Sequence, residues 1–159
     1  MKFTITQSDD LETARALHKR MFPSDKWPGD LYHYWIAYEE GGEPVGFCAA
    51  GWLKGRRLVF LARAAVLKAY SNHGLQRRMI YVRVKWARSV KAEGIFTYTT
   101  ATNFKSIANL IRCGFYIFRP NNLHRSWGRS MLFFMPLIAQ VRKPHRFRRM
   151  CRHAIQAFD

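Results

Sequence analysis

The stretch from Leu58 to Val90 constrains the fold more than any other part of the chain. Leu58–Leu67 is a long apolar run interrupted by Arg63, the composition of a buried central strand. Ala69-Tyr70-Ser71-Asn72-His73-Gly74 then breaks the pattern. From Leu75, the apolar positions Leu75, Met79, Val82, Trp86 and Val90 fall on one narrow helical face. Arg77, Arg78, Lys85, Arg88 and Lys91 lie mostly off it, and Glu93–Gly94 marks the expected helix end, with glycine as the stop. A buried strand feeding an amphipathic helix requires a sheet with helices packed on it.

The flanking segments fit that frame. Lys2–Thr6 alternates like an opening strand, and Ser8 or Asp9 is placed to cap a helix from Leu11 to Met21, with Asp10 and Glu12 near its positive end. Leu11, Ala14, Leu17 and Met21 supply its apolar stripe. Phe22–Leu31, with Pro23, Pro28 and Gly29, reads as a loop. Tyr34–Glu40, the Gly41–Gly42 turn and Val45–Leu53 read as a hairpin, and Lys54–Gly55 as the next turn. Ile95–Thr100 is rich in β-branched and aromatic residues, Asn103–Cys113 is helical and closed by Gly114, and Phe115–Phe118 and Ser130–Pro136 are the last strands. The expected class is α/β: a mixed, mostly antiparallel sheet of six to seven strands flanked by helices. Residues 1–138 form one domain and 139–159 a basic C-terminal helix or tail.

Composition narrows the class of function. A chain of 159 residues that is 48% hydrophobic suits one folded domain and excludes a disordered basic tail. The longest uncharged apolar run, Ser130–Val141, is too short to cross a bilayer, and Met1–Asp10 lacks the pattern of a signal peptide. Cys48, Cys113 and Cys151 show neither a disulfide framework nor zinc spacing. A cytoplasmic protein with reduced thiols, no metal and no membrane contact is the expectation. The charge is lopsided. Residues 1–43 hold eight carboxylates and five Lys/Arg, whereas residues 44–159 hold 22 Lys/Arg and two carboxylates, Glu93 and Asp159. Such a field attracts nucleotides, polyphosphates, nucleic acid or acidic protein. It also leaves Glu93 as the one carboxylate base between residues 44 and 158.

The turn before the helix at Leu75 carries the chemistry. Free amides at a helix start, with the positive helix end behind them, hold phosphate; Gly74 permits close approach, and Arg77 and Arg78 add charge. By itself this is also the form of an ordinary strand-to-helix turn. The wider arrangement resembles the GNAT acyltransferase superfamily. Its pyrophosphate-binding turn, Arg/Gln-x-x-Gly-x-Gly/Ala, corresponds to Ser71-Asn72-His73-Gly74-Leu75-Gln76, in which the middle glycine is kept and the first and last positions are not. The family's Asn followed by a helix ending in Gly-Phe corresponds to Asn103 through Gly114-Phe115, and Gly41-Gly42-Glu43-Pro44-Val45-Gly46-Phe47 resembles its second and third strands. The resemblance spans residues 1–136.

The resemblance implies transfer of acetyl from acetyl-coenzyme A to a primary amine of a small molecule or protein. Coenzyme A would enter where two neighbouring parallel strands splay. Ala65, Val66 and Leu67 would pair with the pantetheine, and the amides of Asn72, His73, Gly74, Leu75, Gln76 and Arg77 would hold the pyrophosphate. Asn103 and Ser106 would face the pantetheine or acetyl end. Two features depart from the family pattern. The tyrosine that often serves as general acid is replaced by Leu110, and neither Leu58–Leu67 nor Ile95–Thr100 carries an acid. Tyr98 is the best candidate for a proton-handling group, with His124, Glu39 and Glu40 as others; positioning and oxyanion stabilisation supply much of the rate in members without a base.

Several residues carry two readings. His73 is either a phosphate contact or base, or a solvated turn histidine. Arg63 binds an anionic substrate or pairs with a surface carboxylate. Cys113 is a packing residue with no nucleophilic partner. Trp27, Tyr32, Tyr34 and Trp35 line an acceptor site or form an aromatic core, and Asp25 and Asp30 hold a cationic amine or cap turns. The basic tail, with Arg142, Lys143, Arg146, Arg148, Arg149 and Arg152 around Phe147, binds nucleic acid or an acidic partner, or is a solvated helix. The apolar run Met131–Ile138 is a candidate homodimer contact. A GNAT-fold protein that no longer catalyses, of the kind a virus or mobile element carries, and binds nucleic acid or an assembly partner is the alternative to the enzyme.

Overall fold

Among the described residues, seven strands and three helices follow one another in the order the hydrophobic pattern predicts. They are β1 (Phe3–Ser8), α1 (Leu11–Met21), β2 (His33–Glu39), β3 (Pro44–Trp52), β4 (Leu58–Val66), α2 (Leu75–Ser89), β5 (Gly94–Thr100), α3 (Phe104–Arg112), β6 (Tyr116–Phe118) and β7 (Ser130–Pro136). A 3₁₀ turn at Lys68–Tyr70 joins β4 to α2. The computed structural model describes residues 1–53, 57–118 and 130–139, together with His145 and Arg149. His124, the Lys54–Gly55 turn, Cys151 and most of the basic tail lie outside the described residues; Arg149 is exposed. The sheet order is β1-β2-β3-β4-β5-β7-β6. The β4–β5 pairing is parallel, and β1–β2, β2–β3, β5–β7 and β6–β7 are antiparallel. The chain divides into two compact units, Met1–Gly51 with Ala62–Arg83, and Trp52–Leu61 with the chain from Val84 onward.

In the first unit, β1, β2 and β3 form a meander, with Ile5 opposite Ala37 and Ile36 opposite Phe47. The Gly41–Gly42 turn closes the β2–β3 hairpin through Gly42 in left-handed backbone (φ 88°) and the Glu39 amide, which donates to the Glu43 carbonyl at 3.0 Å. Ala14 and Leu17 of α1 pack with Tyr34, Ile36, Phe47 and Ala49 of the sheet. Truncating a wholly buried ring such as Phe47 to alanine costs about 3–5 kcal/mol. The cap of α1 is Asp10, not Ser8 or Asp9: its carboxylate accepts the Thr13 amide at 3.1 Å, because the helix starts at Leu11 and the residue just before it reaches the free amides. Hydrogen bonding from Thr13 holds the Asp10 carboxyl below its ordinary value.

The helix α2 corrects the sequence reading in two ways. It ends at Ser89, not at Glu93–Gly94, and the chain turns out through Lys91 in left-handed backbone (φ 56°). Its buried positions are Leu75, Met79, Ile80, Arg83, Val84 and Ala87, whereas Val82, Trp86 and Val90 are half-buried. At about 100° per residue this face is turned by about 75° from the apolar stripe, and Arg83 stands near its centre. Gly46 makes the close packing of the first unit feasible: a Cβ there would lie 2.7 Å from the Ala65 carbonyl oxygen and 2.8 Å from Met79 Cε.

In the second unit, β7 lies between β5 and β6, with Phe96 opposite Phe134 and Ile117 opposite Phe133. Ile95, Phe96, Leu132, Phe133 and Phe134 form its wholly buried centre. The apolar run of β7 is therefore used inside the chain: both strand edges are paired and Leu132–Met135 are buried, which leaves little of it for a dimer contact. The β4–β5 pairing runs through three residues, from Leu58↔Gly94 to Phe60↔Phe96, and at the next step the Thr97 hydroxyl donates to the Leu61 carbonyl at 2.9 Å.

Candidate functional site

The first unit contains a cavity of about 550 Å³ between the end of α1 (Arg20, Met21, Phe22) and the segment from Ala65 to Ser71. The backbone of that segment is fixed in steps. The Leu67 amide donates to Val45 O at 2.8 Å, Tyr70 to Leu67 O at 2.9 Å, and Ser71 to Lys68 O at 3.1 Å. Asn72 (φ 69°) and Gly74 (φ 75°) then take left-handed backbone, which turns the chain into α2. Asparagine and glycine tolerate that conformation best.

The turn exposes main-chain donors. Arg78 donates its amide to Gly74 O at 3.2 Å, while the amides of His73, Gly74, Leu75 and Arg77 have no backbone acceptor among the described residues. The first turn of α2 has no acidic residue and carries Arg77 and Arg78. Both arginines sit at the positive end of the helix dipole, where a cation is disfavoured and an anion is welcome. Arg78 Nη2 donates to Phe3 O at 2.7 Å and ties the turn to β1. Arg77 is exposed, and a Cβ on Gly74 would meet only its Nη2, at 3.9 Å. Leu75 is buried, so its amide alone is available to a ligand. Ala65, Val66 and Leu67 are half-buried along the cavity.

His73 follows the plainer of its two readings. Its Nδ1 lies 3.0 Å from Ser71 O and 3.3 Å from Tyr70 O, so that nitrogen carries the proton and donates to the turn's own carbonyls. Partial burial, then the hydrogen bond to Glu39, holds the Tyr70 phenol above its ordinary value.

The acceptor-loop candidates are engaged with one another. Asp25 pairs with Arg63 at 2.6 Å, and Arg63 lies 5.0 Å over the Phe22 ring, so Arg63 takes the carboxylate-paired reading. Asp30 pairs with Arg15 at 2.6 Å and accepts Trp27 Nε1 at 2.7 Å; these hydrogen bonds hold its carboxyl below the usual range. Trp27 stacks on Tyr34 at 4.8 Å, and the Tyr34 hydroxyl donates to Gly29 O at 2.7 Å. Burial raises the Tyr34 phenol far above its ordinary value. Tyr34 and Trp35 are buried, and so belong to the aromatic core; Tyr32 fits against Gly51, where a Cβ would lie 2.6 Å from its ring.

The second unit holds the remaining candidates. Tyr98 is 45% exposed on β5 and stacks on Phe60 at 5.9 Å. Asn103 caps α3: its Oδ1 accepts the Ser106 amide at 3.1 Å. Cys113 ends α3 and is half-buried. Among the described residues no group of three or more His, Cys, Asp and Glu side chains is placed to hold a metal ion. No helix among them is long and apolar enough to cross a membrane.

Residues 4–115 match the family model of the acetyltransferase (GNAT) family. The chain belongs to that family. Its fold is shared with GNAT structures of low sequence identity. The IAA acetyltransferase from Bacillus cereus superposes with a TM-score of 0.71 at 16% identity, covering 86% of this chain and 100% of that one. Arabidopsis thaliana NAA60 in complex with acetyl-CoA gives 0.68 at 18% identity, covering 86% and 99%. The ribosomal-protein-S18-alanine N-acetyltransferase from Escherichia coli gives 0.64 at 18% identity, covering 86% and 94%. No curated protein matches the chain in sequence.

Two features of this GNAT chain were missed by the pattern reading. His18 is 4% exposed and Arg83 3%, both on buried helix faces. The signal was present: His18 is four residues after Ala14 and Arg83 four after Met79, both on helical contact spacing.

Proposed function

We propose that the chain is an N-acetyltransferase that uses acetyl-coenzyme A to acetylate a primary amine. The observation that carries this reading is the start of α2, where unbonded amides of His73, Gly74, Leu75 and Arg77 meet two arginines in a first turn without acid. That donor set suits the pyrophosphate of coenzyme A, and Asn72 and Gln76 flank it. The half-buried strand end Ala65, Val66 and Leu67, along the cavity, suits the pantetheine. The acetyl-CoA complexes among the GNAT neighbours support the same choice of donor.

Bound acetyl-CoA supplies an activated thioester carbonyl. The turn amides and Arg77 bind and orient it, and Asn103 Nδ2 and Ser106 help to place its acetyl end. As the amine nitrogen bonds to the carbonyl carbon and the carbon–sulfur bond breaks, the amine gives up a proton and the departing thiolate takes one, and Tyr98 is the proposed carrier. Neither β4 nor β5 carries a carboxylate, so positioning supplies most of the rate. A neighbour of the fold, the NatC complex bound to Gag peptide and CoA, supports a primary amine of a protein or small molecule as acceptor. Residues 1–138 are the proposed catalytic domain and 139–159 a basic extension that guides it to an anionic partner.

Calorimetric titration with acetyl-CoA, against adenosine diphosphate as a charge control, tests the reading. Micromolar binding well above the control is expected, and it should be lost in Gly74→Val and weakened in Arg77→Gln. Binding no better than the control overturns the cofactor site. Retained binding with no turnover on any amine overturns the enzyme and leaves a GNAT-fold binding protein.

A further inference from the structure

The cavity of the first unit has an unbalanced lining. Arg20 at the end of α1 and Lys68 in the 3₁₀ turn both line it, and no carboxylate does. Both residues are exposed, and neither has a carboxylate at ion-pair distance among the described residues. Tyr70 shares the lining. Burial and the hydrogen bond to Glu39 raise its phenol, and the charge of Arg20 opposes them, so Arg20 is felt across the cavity at the Lys68–Tyr70 turn. Glu39 is engaged there, since it accepts the Tyr70 hydroxyl. The negative end of the α1 dipole accounts for a cation at Arg20, but not for Lys68, which belongs to another element. The loop after α1 offers no free carboxylate from Asp25 or Asp30, because Arg63 holds the first and Arg15 the second. The charge left unanswered at the cavity is therefore positive.

We propose that the acceptor is an anionic amine, one that carries carboxylates beside its amino group as an acidic peptide N-terminus does, with those carboxylates on Arg20 and Lys68. The inference rests on the acetyltransferase reading. With the pyrophosphate on the turn amides and the neutral pantetheine along Ala65, Val66 and Leu67, the pantetheine arm brings no charge to either cation. Met21 and Phe22, beside Arg20 in the lining, give the uncharged part of the acceptor an apolar wall. A polyamine or a lysine-rich peptide would set like charge against Arg20 and Lys68, which selects against it. Exposed pairs of this kind each contribute little, so they tune the choice of acceptor more than its affinity.

Acetylation by the full chain of peptides of equal length, beginning Ser-Asp-Glu, Ser-Gln-Gln and Ser-Lys-Lys, tests it. From first to last, kcat/KM should fall on the order of 5- to 10-fold, and the spread should shrink as salt rises. Arg20→Glu/Lys68→Glu should invert the order and keep acetyl-CoA affinity, read by calorimetry. Circular dichroism checks that the double variant is folded; where it is not, Lys68→Glu alone, on an exposed turn, should remove most of the preference. Free glutamate acetylated as well as the acidic peptide makes the acceptor a small molecule, and acetylation of the peptide alone makes it a protein N-terminus; either result keeps the carboxylate requirement. Equal kcat/KM for the three peptides overturns the proposal. So does an unchanged order in the reversed variant, or a loss of acetyl-CoA affinity in it, which would put the two cations on the cofactor's phosphates. Anisotropy of the same peptides, labelled at their C-termini, on protein loaded with coenzyme A gives the comparison without turnover. Binding in the expected order with no acetylation overturns the enzyme and keeps the anionic site.

Discussion

Arg83 donates through Nη1 to the Ala49 carbonyl oxygen of β3 at 3.3 Å, from the centre of a helix face where hydrocarbon is the usual occupant. The same nitrogen lies 3.4 Å from the Ala62 carbonyl of β4, and Nε donates to Met79 O at 2.9 Å. One side chain thereby satisfies carbonyls of two strands and of its own helix. Replacing it by the uncharged Arg83→Met leaves the Ala49 and Ala62 carbonyls without this donor, and the expected loss of stability is about 2–4 kcal/mol. Arg83→Lys keeps one donor and should lose less. Urea unfolding at pH 7 measures both, and an unchanged midpoint in Arg83→Met would remove the clamp.

His18 is expected to make the stability pH-dependent. Its ring packs against Phe22 and Trp27 at 5.4 Å and Phe47 at 6.0 Å, and its Nε2 has no hydrogen-bond partner among the described residues. Burial, then the charge of Arg63, lowers its pKa from 6.5, against the opposing pull of Asp25. The unfolded chain therefore takes up a proton at a pH where the native chain does not. Stability is full above about pH 7 and falls as pH drops through 6.5 toward the native value. Thermal unfolding of His18→Leu should be flat between about pH 7 and 5 where wild type declines, and parallel curves would refute the assignment.

Cys48 should resist alkylation in the native state. It is wholly buried, and burial pushes its thiol up to about 11 in spite of the opposing charge of Arg83. Mass spectrometry after iodoacetamide at pH 8 should find Cys113 modified and Cys48 modified only after denaturation. Rapid labelling of Cys48 in folded protein would contradict the packing of β3 on α2.

Asn103 separates capping from ligand contact. Asn103→Ala should cost about 1 kcal/mol of stability through loss of the bond to the Ser106 amide. Asn103→Asp keeps the cap and should leave stability near wild type. A fall in acetyl-CoA affinity in Asn103→Asp, read by calorimetry, would mark Nδ2 as a ligand contact, and unchanged affinity would leave Asn103 a cap alone.

The order of elements was readable in the chain because each strand and helix writes its own period. The apolar run Leu58–Leu67, the Gly41–Gly42 turn and the Asn103–Gly114 helix fall within a residue or two of β4, the hairpin and α3. Gly74 marked the turn into α2 because left-handed backbone there favours glycine. The helix end at Ser89 was less legible: Lys91, not glycine, takes the left-handed conformation, a cost that local packing must meet and that no pattern of polarity announces.

What the sequence determined by itself was the α/β order, the glycine turn into α2 and the basic field of residues 44–159, because periodicity, backbone preference and charge are local properties. What only the tertiary structure decided was which polar groups are buried and with whom. The same arginine is solvated at position 77 and clamps two strands at position 83. The carboxylates of Asp25 and Asp30 proved to be held by Arg63 and Arg15. Such pairings join residues far apart in the chain, and a distance in space between them is set only when the elements that carry them have packed.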